Sequence, residues 1–425
     1  MTKVQLGEQI APGVSFNTIV DPRYKTDRIS VNLMLKLDGK TASEYAVLPF
    51  ILRKGYKDCP DFTQLNRRLN ELYGAYLDAD VRKIGDNQVL NLSIASIDDA
   101  FALDGEKMVE ELSRILAGIV LSPNMPGGAF DPKEFELEKQ YLIDTIESEI
   151  NEKRTFAMSR AQSLLCEGEP YGESRYGTLD QAKGLTPELA AAAYSRAIRT
   201  AHVEILFVGC GDPEPAKRCF AEAFSGVERG ETASIQSSVI TQVREAQSVT
   251  ERYQVAQSKM VLGFRATKEL TGNDLDAIRL MVSLYGGTPI SKLFVHVREE
   301  MSLCYYCAAR FDRIKQILLV DCGVEKDNID KAREEILRQL EEIRGGNFTD
   351  EELDNTRLSV RNSFKTIGDS PSGMESWYLG QRCSGTQRAP EEEADRLDAV
   401  TREDIVRAAQ NVELQLVYVL TGMEE

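Results

Sequence analysis

A chain that writes one order of elements twice must bury two equivalent cores, and this sequence of 425 residues does so. Apolar and polar residues alternate over 31–37, the period of a half-buried strand. Two helical stretches follow, 43–55 and 61–73, the second carrying Leu65, Leu69 and Leu72 on one face and stopped at Gly74. Strands at 75–82 and 87–97 flank a turn at Ile84-Gly85-Asp86. Helices come next at 101–121, 132 to about 165, and 187–198, then a strand at 203–208 and a helix at 215–224. From Gly226 the chain turns polar and loses its period. The pattern then restarts: a strand at 259–264, helices at 274–285 and 290–301, strands at 303–311 and 316–324, helices at 329–343, 350–366 and 401–410, and a last strand at 414–420. The expected architecture is a duplicated strand-helix-helix-strand-strand-helix unit of the α+β class, each mixed or antiparallel sheet covered by helices. Its domains are 1–228 and 249–425, joined by a linker at 229–248. Neither half alternates strand and helix simply, so a doubly wound parallel fold is disfavoured.

Charge and cysteine usage narrow the function. A formal charge of −17 argues against nucleic acid or an anionic membrane face as partner. No apolar run is long enough to span a bilayer, and the first fifteen residues carry none at all, so no signal peptide is expected. Eight scattered cysteines in a long chain suit free thiols in a reducing cytoplasm.

Chemistry-bearing motifs concentrate in the second repeat. It holds Gly286-Gly287-Thr288-Pro289-Ile290-Ser291-Lys292-Leu293-Phe294, then Val297-Arg298-Glu299-Glu300-Met301-Ser302-Leu303-Cys304-Tyr305. A Gly-rich turn, a Ser-x-Leu helix start and an Arg-Glu leading to Leu-x-Tyr resemble the signature of the insulinase/pitrilysin family of zinc metallopeptidases. Gly211-Asp212-Pro213-Glu214 is similar to that family's Gly-Asp turn closing its first domain, and Leu72-Tyr73-Gly74-Ala75 matches its counterpart after the second helix. The resemblance covers nearly the whole chain. It implies two homologous insulinase-like domains forming half of a clam-shell whose chamber admits unfolded peptides.

The same resemblance exposes a departure. Active members carry an inverted H-x-x-E-H motif on the first helix, two His for zinc and the Glu as general base. Anchored on Lys54-Gly55, those positions hold Ala46, Pro49 and Phe50, and the third ligand position on the long helix holds Thr145, with Asp144 just before it. A methyl, a pyrrolidine and a phenyl ring offer a metal no lone pair, and a single neighbouring carboxylate cannot hold catalytic zinc. No metal and no other cofactor is expected, and no peptidase activity of the chain by itself. Pro49 should also kink the helix, which Thr41 or Ser43 can cap.

Arg298 and Tyr305 survive as candidate catalytic groups. The resemblance implies that the Arg holds a substrate carbonyl and the Tyr hydroxyl donates to a tetrahedral oxyanion. The plainer alternative pairs Arg298 with a surface carboxylate and leaves Tyr305 as a strand aromatic. Gly286 and Gly287 would let a peptide backbone approach, or serve only a helix-start turn. Cys304 and Cys307, three apart on a strand, are expected on opposite faces and so unable to share a metal or a disulfide. His202 and His296, the only two histidines, read as satisfied core or surface groups. Glu134, Glu136, Glu138, Glu147 and Glu149 read as a solvated helix face laced with ion pairs.

The expected function is therefore a non-catalytic, peptide-binding or structural subunit of a zinc endopeptidase pair, lending Arg298 and Tyr305 to the site of a zinc-bearing paralogue, as in the inactive members of bacterial peptidase-like pairs. A homodimeric peptide-binding scaffold without proteolysis is the alternative from another class. An unrelated enzyme built on Cys59, the cysteine beside the old metal helix, is a third.

Overall fold

In the computed structural model, which describes residues 2–423, the chain forms two mixed sheets, each covered by helices. The first sheet contains β1 (Lys3–Ala11), β2 (Val14–Val20), β3 (Thr26–Lys36), β4 (Tyr76–Ile84), β5 (Asn87–Ile97) and β6 (His202–Gly209), in the order β1-β2-β6-β3-β5-β4. The second contains β7 (Gln247–Arg252), β8 (Ser258–Ala266), β9 (Cys304–Asp312), β10 (Ile317–Val324) and β11 (Val412–Thr421), in the order β7-β11-β8-β10-β9. Without β1 the two orders are the same. So are the directions: β2 runs parallel to β6 and β7 parallel to β11, and every other neighbour is antiparallel. The duplication in the sequence is a duplication of topology.

The compact units are not two halves of the chain. One comprises residues up to Glu147, Glu173–Gln236 and Gly368–Gln387; the other comprises Ser148–Gly172, Ser237–Ile367 and the residues from Arg388 onward. The boundaries 1–228, 229–248 and 249–425 place 148–172 and 368–387 otherwise, and β7 begins within the stretch read as linker. The first exchange occurs where the expected single helix over 132–165 is in fact two. Pro132–Ser148 ends in a tight turn at Glu149–Asn151, and Lys153–Leu165 begins anew in the other unit.

Within the first unit, one face of the sheet is apolar. Ile29, Val31, Leu33 and Leu35 join Leu90, Leu92 and Ile94 and pack with Leu112, Ile115, Leu116 and Ile119 of helix Met108–Leu121 in one core. The alternation over 31–37 predicted water on the other face, yet Ser30, Asn32, Asn91 and Glu204 are all fully buried there. Helix Pro371–Cys383 covers them, and its charges match theirs. Glu375 accepts from Arg28 and, at 3.2 Å, from Asn91; Arg382 donates to Glu204 at 2.9 and 3.0 Å. In the second unit helix Lys153–Leu165 places Ala157, Ala161 and Leu165 against Val261, Leu319, Leu416 and Tyr418, with Arg154 paired to Asp321. Equivalent helices of the two repeats thus each complete the sheet of the opposite repeat.

The helix expected over 43–55 is broken, as Pro49 requires. Ala42–Ala46 and Leu48–Leu52 are separate short helices meeting at Val47, because Pro49 has no N–H to donate and its ring crowds the carbonyl one turn back. Neither expected cap forms. Thr41 makes no side-chain bond to the helix, and the Ser43 hydroxyl donates to the Tyr176 carbonyl at 2.7 Å instead.

Candidate functional site

Where the resemblance places metal ligands the structure shows an aromatic and ionic cluster. Ala46, Pro49 and Phe50 are buried on the two short helices. Phe50 meets Tyr141 of helix Pro132–Ser148 edge-to-face, with ring centroids 5.0 Å apart. The Arg53 guanidinium lies 5.7 Å from the Phe50 centroid and 5.6 Å from that of Tyr141, satisfying both ring faces with a cation. Glu138, one turn before Tyr141 and two turns before Thr145, shares that helix face. Its carboxylate pairs with Lys54 at 2.9 Å and stands 3.9 Å from Arg53. Reading Glu138 as part of a solvated face is corrected: its side chain is buried, because two basic residues at the end of the short helix face it across the apolar contact. Thr145 turns its hydroxyl to the Tyr141 carbonyl at 2.8 Å. Two cations therefore face this one carboxylate. The two-turn spacing of Glu138 and Thr145 was the sequence signal for this cluster.

Arg298 and Tyr305 are held very differently. Arg298 lies on Leu293–Glu300, a widened helical segment closed by the Met301 amide donating to the His296 carbonyl five residues back. Ser302 then takes a left-handed conformation, φ 51°, and the Leu303 amide returns to the Val297 carbonyl. Widened turns and left-handed non-glycine residues are both disfavoured, and they recur where a side chain must be aimed. The Arg298 guanidinium sits 4.5 Å over the Phe294 ring and makes no ion pair among the described residues, so the carboxylate partner of the plainer reading is not there. Tyr305 is 71% exposed and also makes no side-chain hydrogen bond among the described residues.

The neighbouring glycines divide. A Cβ on Gly286 would lie 2.8 Å from the Ala309 backbone and 2.8 Å from Leu293, so Gly286 is a packing requirement between helix and strand. Gly287 borders a cavity of about 330 Å³ with Arg279, Arg310, Arg313, Ser283 and Thr288 and no carboxylate among its lining residues. In a chain of net charge −17 that concentration of guanidinium is local. Burial lowers the pKa of Arg279, which stacks 4.8 Å from the Phe364 ring.

The histidines are structural. His202 contacts buried Glu204 at 2.7 Å, and His296 contacts Glu300 of its own helix at 2.6 Å. Cys59 forms a small backbone turn with Tyr56. At the Gly-Asp turn, Asp27 on β3 accepts from the amides of Cys210 and Gly211, each at 2.9 Å. Its second oxygen faces the Asp98 carboxyl; a Cβ on Gly211 would strike both. Burial first, and Asp98 second, push the Asp27 pKa up to about 7 against the two amides. Asp27, Asp98 and Cys210 bring ligand-type atoms within 4.8 Å of one another at this turn.

Two helix-covered sheets share one topology, and the second carries an exposed Arg/Tyr segment. Residues 184–360 match the model described as the peptidase M16 inactive domain. A relative from Bacillus subtilis described as probable inactive metalloprotease YmfF is 26% identical over 97% of this chain and 96% of its own. The crystal structure of a conserved protein from Enterococcus faecalis superposes with a TM-score of 0.88 at 26% identity, covering 100% and 99% of the two chains. That of a peptidase M16 inactive domain from Pseudomonas fluorescens gives 0.79 at 15%, covering 99% of each. Residues 184–360 thus match the M16 inactive domain, and the chain as a whole is similar to an inactive metalloprotease homologue and to M16-like folds.

Proposed function

We propose that this chain is the peptide-binding, non-catalytic subunit of a zinc endopeptidase pair, whose zinc-bearing paralogue supplies metal, general base and water. The observation that carries the reading is the contrast between two sites. The resemblance's first-helix metal positions hold the buried Ala46, Pro49 and Phe50 in the first unit, while Arg298 and Tyr305 are exposed in the second and make no ion pair or side-chain hydrogen bond among the described residues. A solvent-facing guanidinium and phenol have the donors to grip a substrate carbonyl and an oxyanion in a partner's cleft. The Arg-lined cavity beside Gly287 adds a place for an anionic end of an unfolded peptide.

The test is to mix the chain with the zinc-bearing homologue of its own organism and assay cleavage of unstructured peptides. The expected result is activity that neither chain shows alone, falling at least about tenfold with Arg298→Ala or Tyr305→Phe in this chain. Activity unchanged by both substitutions would refute the lending of these residues. Association into a homodimer that binds peptides without cleaving them would favour the scaffold instead.

A further inference from the structure

The Cys304-Tyr305-Tyr306-Cys307 strand does not alternate as its spacing predicts. Along β10 and β9 the partners are Cys322 with Cys307, Gly323 with Tyr306, and Val324 with Cys304. Tyr305 is thus the extra residue of a β-bulge. Residues directly opposite share a face, and Cys322 and Val324, two apart, share one as well. Cys304 and Cys307 therefore lie on the same face as Cys322, contrary to the expectation of opposite faces, and the bulge is the reason.

The three thiols are graded in access. Cys304 is partly exposed, while Cys307 and Cys322 are buried. They are also graded in charge. Hydrogen bonding from the Cys307 thiol, then from that of Cys322, and the positive charge of Arg298 draw the Cys304 pKa below the ordinary thiol range. The two buried thiols are pushed above it. A reachable thiolate backed by two protonated thiols is the arrangement of an attacking and a resolving cysteine.

We propose that Cys304 is a peroxide-reactive thiol and that Cys307 or Cys322 resolves it to a disulfide. The Cys304 thiolate attacks one oxygen of the peroxide; the S–O bond forms, the O–O bond breaks, and hydroxide leaves. The neighbouring thiol then attacks the sulfenic sulfur, the S–S bond forms, and water departs with the proton from that thiol. Two thiols have lost two electrons and the peroxide has gained them. Cys322 lies diagonally across from Cys304 on that face, and the Cys304 sulfur is within hydrogen-bonding reach of both other thiols, which sets it beside either resolving partner. Because Tyr305 is the bulge residue and Arg298 faces Cys304, oxidation removes the negative charge that Arg298 faces and ties down the segment that aims both groups.

The full chain is treated with one equivalent of hydrogen peroxide, alkylated, digested and mapped by mass spectrometry. The expected product is a disulfide from Cys304 to Cys307 or Cys322, reversed by dithiothreitol and absent in Cys304→Ser. Untreated protein carries a second readout that no variant's folding can confuse. Iodoacetamide at pH 6 should modify Cys304 at least about tenfold faster than Cys59, which is exposed to a similar degree. Equal alkylation rates, or peroxide chemistry confined to other cysteines, would overturn the assignment.

Discussion

At position 50 a phenyl ring, 4% exposed, stands where the family resemblance places a histidine, and its neighbours treat it as core. Phe50→Ala should therefore behave as a large-to-small core substitution, lowering unfolding free energy by about 3–5 kcal/mol in urea titrations. An effect under about 1 kcal/mol would mean that the cavity is not sealed. Asp27 offers a sharper residue-scale test, because its carboxyl is wholly buried and titrates far above an unfolded Asp. The folded pKa of about 7 exceeds the unfolded 3.8, so the stabilisation is complete below pH 3.8 and is lost as pH rises to about 7. Asp27→Asn keeps an acceptor for the Cys210 and Gly211 amides and gives Asp98 a permanent donor. The urea midpoint of the parent should fall between pH 4.5 and pH 8, while that of the variant stays nearly level across the same range. Parallel curves would show that Asp27 does not take up its proton in this range. The sequence placed a turn at Gly211-Asp212 but not its cause, since Asp27 is remote along the chain and reaches it only through the pairing of β3 with β6.

Among the elements, helix Pro371–Cys383 has no counterpart in the elements read from the sequence, and it covers the polar face of the first sheet. Its contribution is polar. Glu375 answers Arg28 and Asn91, and stands 3.6 Å from Arg82, while Arg382 answers Glu204. The Glu204 pKa stays below its ordinary value although burial opposes this, held by the His202 contact and the charge of Arg382. Removing one partner of a buried pair leaves the other charge uncompensated. Arg382→Ala is expected to destabilise the first unit by about 3 kcal/mol, and to accelerate amide hydrogen exchange across 371–383 before the rest of the unit exchanges. Unchanged protection there would show that apolar contacts alone seat the helix. The same reasoning explains why the long helix read over 132–165 had to break. Its first part serves the core of one unit and its second part the sheet of the other.

For the whole molecule, the period of the side chains was enough to reveal two copies of one α+β unit, and the residue types were enough to show that the first helix lacks the two His and the Glu of the inverted motif. Both are local properties, legible because a strand writes a period of two and a metal needs lone pairs at set spacings. Among the described residues no helix is long and apolar enough to cross a membrane. Association with a zinc-bearing paralogue is the whole-molecule test, and the exposed Arg298 and Tyr305 are what it interrogates. Three matters belonged to the tertiary structure. The polar face of the first sheet looked solvated, and only the arrival of a helix from about 340 residues later in the chain showed that it is buried and paired. Glu138 looked like surface until Lys54 and Arg53 were folded against it. Cys304 and Cys307 looked opposed until the bulge at Tyr305, visible only in the register with β10, turned them to one face. Spacing along a chain sets which residues can share a face locally. It cannot tell which distant element will cover that face, or where a partner strand forces the count to slip by one.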